Sequence, residues 1–82
     1  MTELIGAEVA VRTAADGSLS AVRTPAGWWA VTRTTNRWVV ETDWWRAPVR
    51  RDYRRCLTAD GDCLELYTDL ETGTWWLSRR YD

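Results

Sequence analysis

The 82-residue chain contains no histidine, no phenylalanine and no lysine. Without His, the commonest general base and metal ligand is missing. The two cysteines, Cys56 and Cys63, form no CxxC pair and have no His to complete a metal set. They are expected to be free thiols in a cytoplasmic protein. No apolar run approaches the ~20 residues of a spanning helix, which leaves out a membrane. The opening "MTELIGAEVAVRT" reads as mature protein, since it has neither a charged n-region nor an apolar h-region. No Gly-rich phosphate loop is present. "ADGDC" lacks the further ligands of a calcium loop and reads as a hairpin turn around Asp60 and Gly61. Asp69 and Glu71 fall in another turn, where Asp69 caps its own backbone. The expectation is a protein that is not an enzyme and takes no cofactor and no metal.

Charge of one sign is also lacking. Eleven cations against twelve anions leave a net charge of −1, too little to hold nucleic acid or an anionic membrane by a global field. All eleven cations are Arg, which fits both GC-rich coding and a surface built to fork onto carboxylates, phosphates or rings. Their distribution is uneven. Arg46, Arg50, Arg51, Arg54 and Arg55 crowd one stretch, with only Asp52 to offset them.

What the chain does have is tryptophan. There are seven, six of them in the doublets Trp28–Trp29, Trp44–Trp45 and Trp75–Trp76, together with three Tyr. A chain of this length makes one domain, residues 1–82, and buries about 63% of its unfolded surface, enough for a single small core.

Strand signals dominate. Val9 and Val11 alternate with Glu8, Ala10 and Arg12, and an Asp16–Gly17 turn returns the chain through Leu19–Thr24. A two-residue loop there puts Val11 opposite Val22. "TPAG" breaks the chain before "WWAVTRT", and "TTNR" is expected to turn it again into "RWVVETDWW". Pro48 interrupts the next connection. Residues 50–82 read as a three-stranded meander turning at Asp60–Gly61 and at "DLETG". "TELIGAE" could form a single helical turn at most. The fold class is therefore all-β: a small, strongly bent antiparallel sheet or barrel of six to seven short strands.

Neighbouring strand residues point to opposite faces, so each doublet sends one ring inward and one outward. Taking Asp60–Gly61 as a two-residue loop, Leu57 faces Leu64 and Tyr53 faces Thr68 on the apolar side. Arg54 then meets Tyr67 on the outer side, and Cys56 meets Glu65. Trp29, Trp38 and Trp75 become core candidates. Trp28 and Trp76 face out, and Trp44 and Trp45 sit at the corner before Pro48. The two cysteines come out as diagonal neighbours on the outer face, too far apart for an unstrained bridge. The candidate binding residues are Trp28, Trp44, Trp45, Arg46, Arg50, Arg51, Arg54, Tyr67 and Trp76.

Residues 37–82 carry a WW pair (Trp44–Trp45), an R-D-Y segment (Arg51–Asp52–Tyr53), a hairpin Gly (Gly61), an L-Y-x-D run (Leu66, Tyr67, Asp69) and a T-G-x-W-W-L ending (Thr72, Gly73, Trp75, Trp76, Leu77). In this order and spacing the chain resembles a small uncharacterised domain of actinobacteria and the Deinococcus–Thermus group. It also resembles the C-terminal tail of ImuB-type proteins, inactive relatives of Y-family DNA polymerases. The resemblance implies an adaptor role in translesion synthesis, with the tail making protein contacts and no catalytic residues.

Three functions follow as expectations. Arg beside outward Trp at near-zero net charge is the chemistry of a protein-interaction surface. The same residues could instead stack bases and track phosphates of single-stranded DNA or RNA. The aromatics could also complete a fold that homodimerises.

Overall fold

The structure is a computed structural model that describes residues 2–42 and 48–81, with side chains from residue 4 onward. Six antiparallel strands follow in chain order: β1 (Thr2–Thr13), β2 (Leu19–Thr24), β3 (Gly27–Thr42), β4 (Val49–Thr58), β5 (Cys63–Asp69) and β6 (Trp75–Tyr81). Each pairs with the next, and β6 returns to β1, so the sheet closes into a barrel. The all-β expectation holds, with no helix among the described residues.

The N-terminal segment is strand and not a helical turn, because it closes the barrel against β6. Gly6, at φ 64°, sits at the irregularity in that pairing between Leu4 and Ala7. "TTNR" does not turn either. β3 runs straight through it for 16 residues, with register shifts against β4 between Val31 and Arg33 and between Thr34 and Asn36. At these bulges the extra residues are Thr32 and Thr35, whose hydroxyls donate to the Leu57 and Arg55 carbonyls at 3.1 Å each.

Val9, Leu19, Val22, Cys56, Leu64, Leu66 and Leu77 are buried inside the barrel, with Val11, Trp29, Val31 and Trp75 packed against them. Fully burying such a side chain contributes roughly 1.5–3 kcal/mol. Trp29 and Trp75 thus lie where the alternation put them. Val11 does face Val22. Cys56 does not face out: it is fully buried opposite Leu64, while Cys63 pairs with Leu57 on the other face. Both thiols are free.

That reversal has one local cause. The Thr58 N–H donates to the Asp62 carbonyl and the Gly61 N–H to the Thr58 carbonyl, so the β4–β5 loop holds three residues, Ala59–Gly61, with Gly61 at φ 88°. A type I turn closed by a left-handed Gly makes such a loop. One residue more in the loop moves every β4 side chain to the opposite face from that expected of a two-residue loop. Tyr53 now meets Tyr67, Arg54 meets Leu66 and Cys56 meets Leu64.

A candidate binding surface on the outside of the barrel

The shifted register lines up four rings. Trp38 on β3 is the direct partner of Tyr53 on β4, Tyr53 of Tyr67 on β5, and Tyr67 of Trp76 on β6. All four stand on the outer face and are half-buried by one another. Ring centroids are 5.3 Å apart for Trp38–Tyr53, 5.1 Å for Tyr53–Tyr67 and 6.4 Å for Tyr67–Trp76, with interplanar angles of 5°, 39° and 13°. An aromatic ladder crosses four strands.

Arginines bracket it. The Arg51 guanidinium lies 4.5 Å from the Tyr67 ring centroid, and its Nη1 donates to Tyr53 Oη at 3.3 Å. That hydrogen bond raises the Arg51 pKa above its ordinary value. On the other side Arg55 lies 5.7 Å from the Trp38 ring and 5.0 Å from Tyr81. Glu65, only 6% exposed, ties this flank together. It meets Arg55 at 3.5 Å and Arg79 at 3.6 Å, and accepts from Tyr81 Oη at 3.4 Å. A buried carboxylate needs such partners to offset its desolvation.

The expected site residues divide accordingly. Arg51, Tyr67 and Trp76 belong to the ladder surface. Arg50 is exposed on β4 opposite Glu41. Trp28 faces out as expected, 42% exposed, but on the β2–β3 side opposite Arg23, with the Arg12 guanidinium 4.3 Å from its ring. Arg54 is a correction. The longer loop turns it inward, where it lies 5.1 Å from the Trp75 ring and 3.9 Å from Asp52. Trp38 is the converse correction: expected in the core, it stands on the outside. The two β3 bulges each reverse the alternation and so cancel, leaving Trp38 on the same side as Trp28. Trp44, Trp45 and Arg46 lie outside the described residues.

Sequence reasoning missed Trp38, Tyr53 and Arg55. The usable signal was the Ala-Asp-Gly triplet before Asp62, which suits a three-residue loop as well as a two-residue one.

Chemically, the surface offers aromatic rings and guanidinium groups for contact. Each inner ring has a ring on either side: Tyr53 lies between Trp38 and Tyr67, and Tyr67 between Tyr53 and Trp76. Among the described residues no group of three or more Cys, Asp or Glu is placed to hold a metal ion, and no helix is long and apolar enough to cross a membrane. No family model, curated protein or solved structure matches the chain.

Proposed function

We propose that this chain is a non-enzymatic protein-interaction module, an adaptor-like domain whose contact surface is the Trp38–Tyr53–Tyr67–Trp76 ladder with Arg51 and Arg55. The observation that carries the reading is the orientation of the rings. A base-stacking platform needs free ring faces, whereas Tyr53 and Tyr67 are each flanked by neighbouring rings on both sides. Rigid aromatics beside Arg suit the side chains of a protein partner, because little conformational entropy is left to lose on binding. A net charge of −1 agrees, since binders of nucleic acid carry a clear positive excess.

The blocks that resemble ImuB-type tails supply three of the four rungs: Tyr53 from R-D-Y, Tyr67 from L-Y-x-D and Trp76 from the closing T-G-x-W-W-L. On that resemblance the partner belongs to DNA damage tolerance. Affinity capture from native lysate, with and without nuclease, tests the reading. The comparison is wild type against Arg51→Glu and against Arg23→Ala, the latter on a different face. A protein kept after nuclease, kept by Arg23→Ala and lost with Arg51→Glu supports it once the purified pair binds in calorimetry. Recovery of nuclease-sensitive material alone would replace it with the single-stranded nucleic-acid reading.

A further inference from the structure

The barrel closes unevenly. β2 pairs with β3 only from Gly27 to Ala30, whereas β4 pairs with β3 as far as Thr42. Beyond Ala30, no strand among the described residues pairs with the far edge of β3. The stretch Thr32–Arg37 is exposed throughout and is kinked by the bulges at Thr32 and Thr35, which spoil it as a template. Asn36–Thr42 is regular, and there Val39 is 54% exposed.

The direction of its backbone groups can be read from β4. The Arg50 carbonyl accepts from Leu70 N–H on the β5 side at 2.9 Å, while the Arg55 and Leu57 carbonyls accept from β3 threonines. Arg50, Asp52 and Arg54 therefore turn their backbone bonds away from β3. Their partners Glu41, Val39 and Arg37 turn theirs away from β4, because antiparallel pairs alternate between bonded and unbonded. The N–H and C=O groups of Arg37, Val39 and Glu41 thus line the open edge.

From this edge we infer that β3 pairs antiparallel with β3 of a second copy of the chain, across a two-fold axis at Val39. A two-fold normal to the sheet keeps each side chain on its own face, so some residue must meet its own counterpart. Centring on Arg37 would oppose two guanidiniums, centring on Trp38 would set Arg37 against Val39, and centring on Val40 would set Val39 against Glu41. Centring on Val39 satisfies every position. Arg37 meets Glu41 of the second copy, Trp38 meets Val40, Asn36 meets Thr42 and Val39 meets Val39. Arg37, Val39 and Glu41 are also the residues whose outward backbone groups meet no strand among the described residues. Opposite charges and aromatic–β-branched partners are the favoured cross-strand pairs. On the outer face the two ladders then meet through Trp38 and Val40, forming one continuous aromatic surface. This pairing does not depend on the proposed partner.

Sedimentation equilibrium on wild type, Val39→Lys and Val39→Glu tests it. Val39 lies outside the core, so circular dichroism should show all three folded. Wild type at roughly 100 μM, enough to populate a dimer of micromolar Kd, should give the mass of two chains. Each variant, with like charges opposed at the axis, should weaken the dimer Kd by at least about tenfold. An equal mixture of the two should restore the two-chain species, since Lys then faces Glu. A single-chain wild type, variants as dimeric as wild type, or variants that fail to associate on mixing would each overturn the inference.

Discussion

Trp38 and Tyr53 face each other across β3 and β4 with their rings 5.3 Å apart and 5° from parallel. Alternation predicts Trp38 for the core and Tyr53 for the apolar side. Both stand outside, Trp38 because β3 continues through "TTNR" with two bulges that cancel, and Tyr53 because the β4–β5 loop holds three residues. Their contact is thus a direct measure of the register. A double-mutant cycle of Trp38→Ala and Tyr53→Ala in urea unfolding should give a coupling of about 0.5–1.5 kcal/mol. Additive single mutants would mean the rings do not stack.

The Trp75–Trp76 doublet should split unequally. Trp75 packs against the core under the Arg54 guanidinium, so Trp75→Ala should cost about 3–5 kcal/mol. Trp76 is half-buried and stacked on Tyr67, so Trp76→Ala should cost about 1–2 kcal/mol. Equal losses in chemical denaturation would contradict the facing of β6.

Asp52 is 7% exposed and lies between two guanidiniums. Its carboxylate accepts from Arg37 Nε at 3.1 Å and Nη2 at 2.6 Å, which holds the Arg37 pKa above its ordinary range. Arg54 Nη2 lies 3.9 Å away and is itself largely buried. Asp52→Ala should cost about 3 kcal/mol, because it strands the Arg54 charge. Arg37→Ala should cost clearly less, since the Arg37 side chain is mostly exposed and Arg54 remains to face the carboxylate. Thermal melts of the two variants rank them.

The thiols should react at different rates. Cys56 is sealed in the core, and burial pushes its pKa up, opposed by the Thr34 hydroxyl 3.6 Å away. Cys63 is half-buried on the other face. A thiol reagent should label Cys63 in the native state and Cys56 only at the rate of opening. A folded pKa above the unfolded one means the native state holds the Cys56 proton longer. The stability this contributes is complete below the ordinary thiol range, about pH 8.5, and is lost as pH rises through the folded pKa. Cys56→Ala should lack this part of the alkaline loss in pH-dependent denaturation.

Two hairpins show how far the chain could be read. "AADGS" and "TADGD" both place Ala-Asp-Gly in the turn, and both fold as three-residue loops, with Gly17 at φ 85° and Gly61 at φ 88°. In the first, a bulge absorbs Ser20, whose hydroxyl donates to the Arg12 carbonyl at 3.1 Å, and Val11 still meets Val22. In the second no bulge follows, and Tyr53 and Arg54 exchange faces relative to a two-residue loop. The candidate surface was legible as a composition, Trp and Tyr beside Arg, and at Arg51, Tyr67 and Trp76 by position.

Local sequence thus determined the all-β class and the glycine turns at Gly17, Gly61 and Gly73, but not the run of β3 through "TTNR". Period-two alternation, glycine at positive φ and the absence of helical spacing act over a few residues only. Loop length and the closing of the barrel decided the rest. Which residues bulge depends on how six twisted strands of unequal length meet, and a shift of one residue turns a whole strand over. The three-residue β4–β5 loop took Arg54 and Cys56 inside and brought Tyr53 into line with Tyr67, while the uneven closure left one edge of β3 without a pairing strand among the described residues.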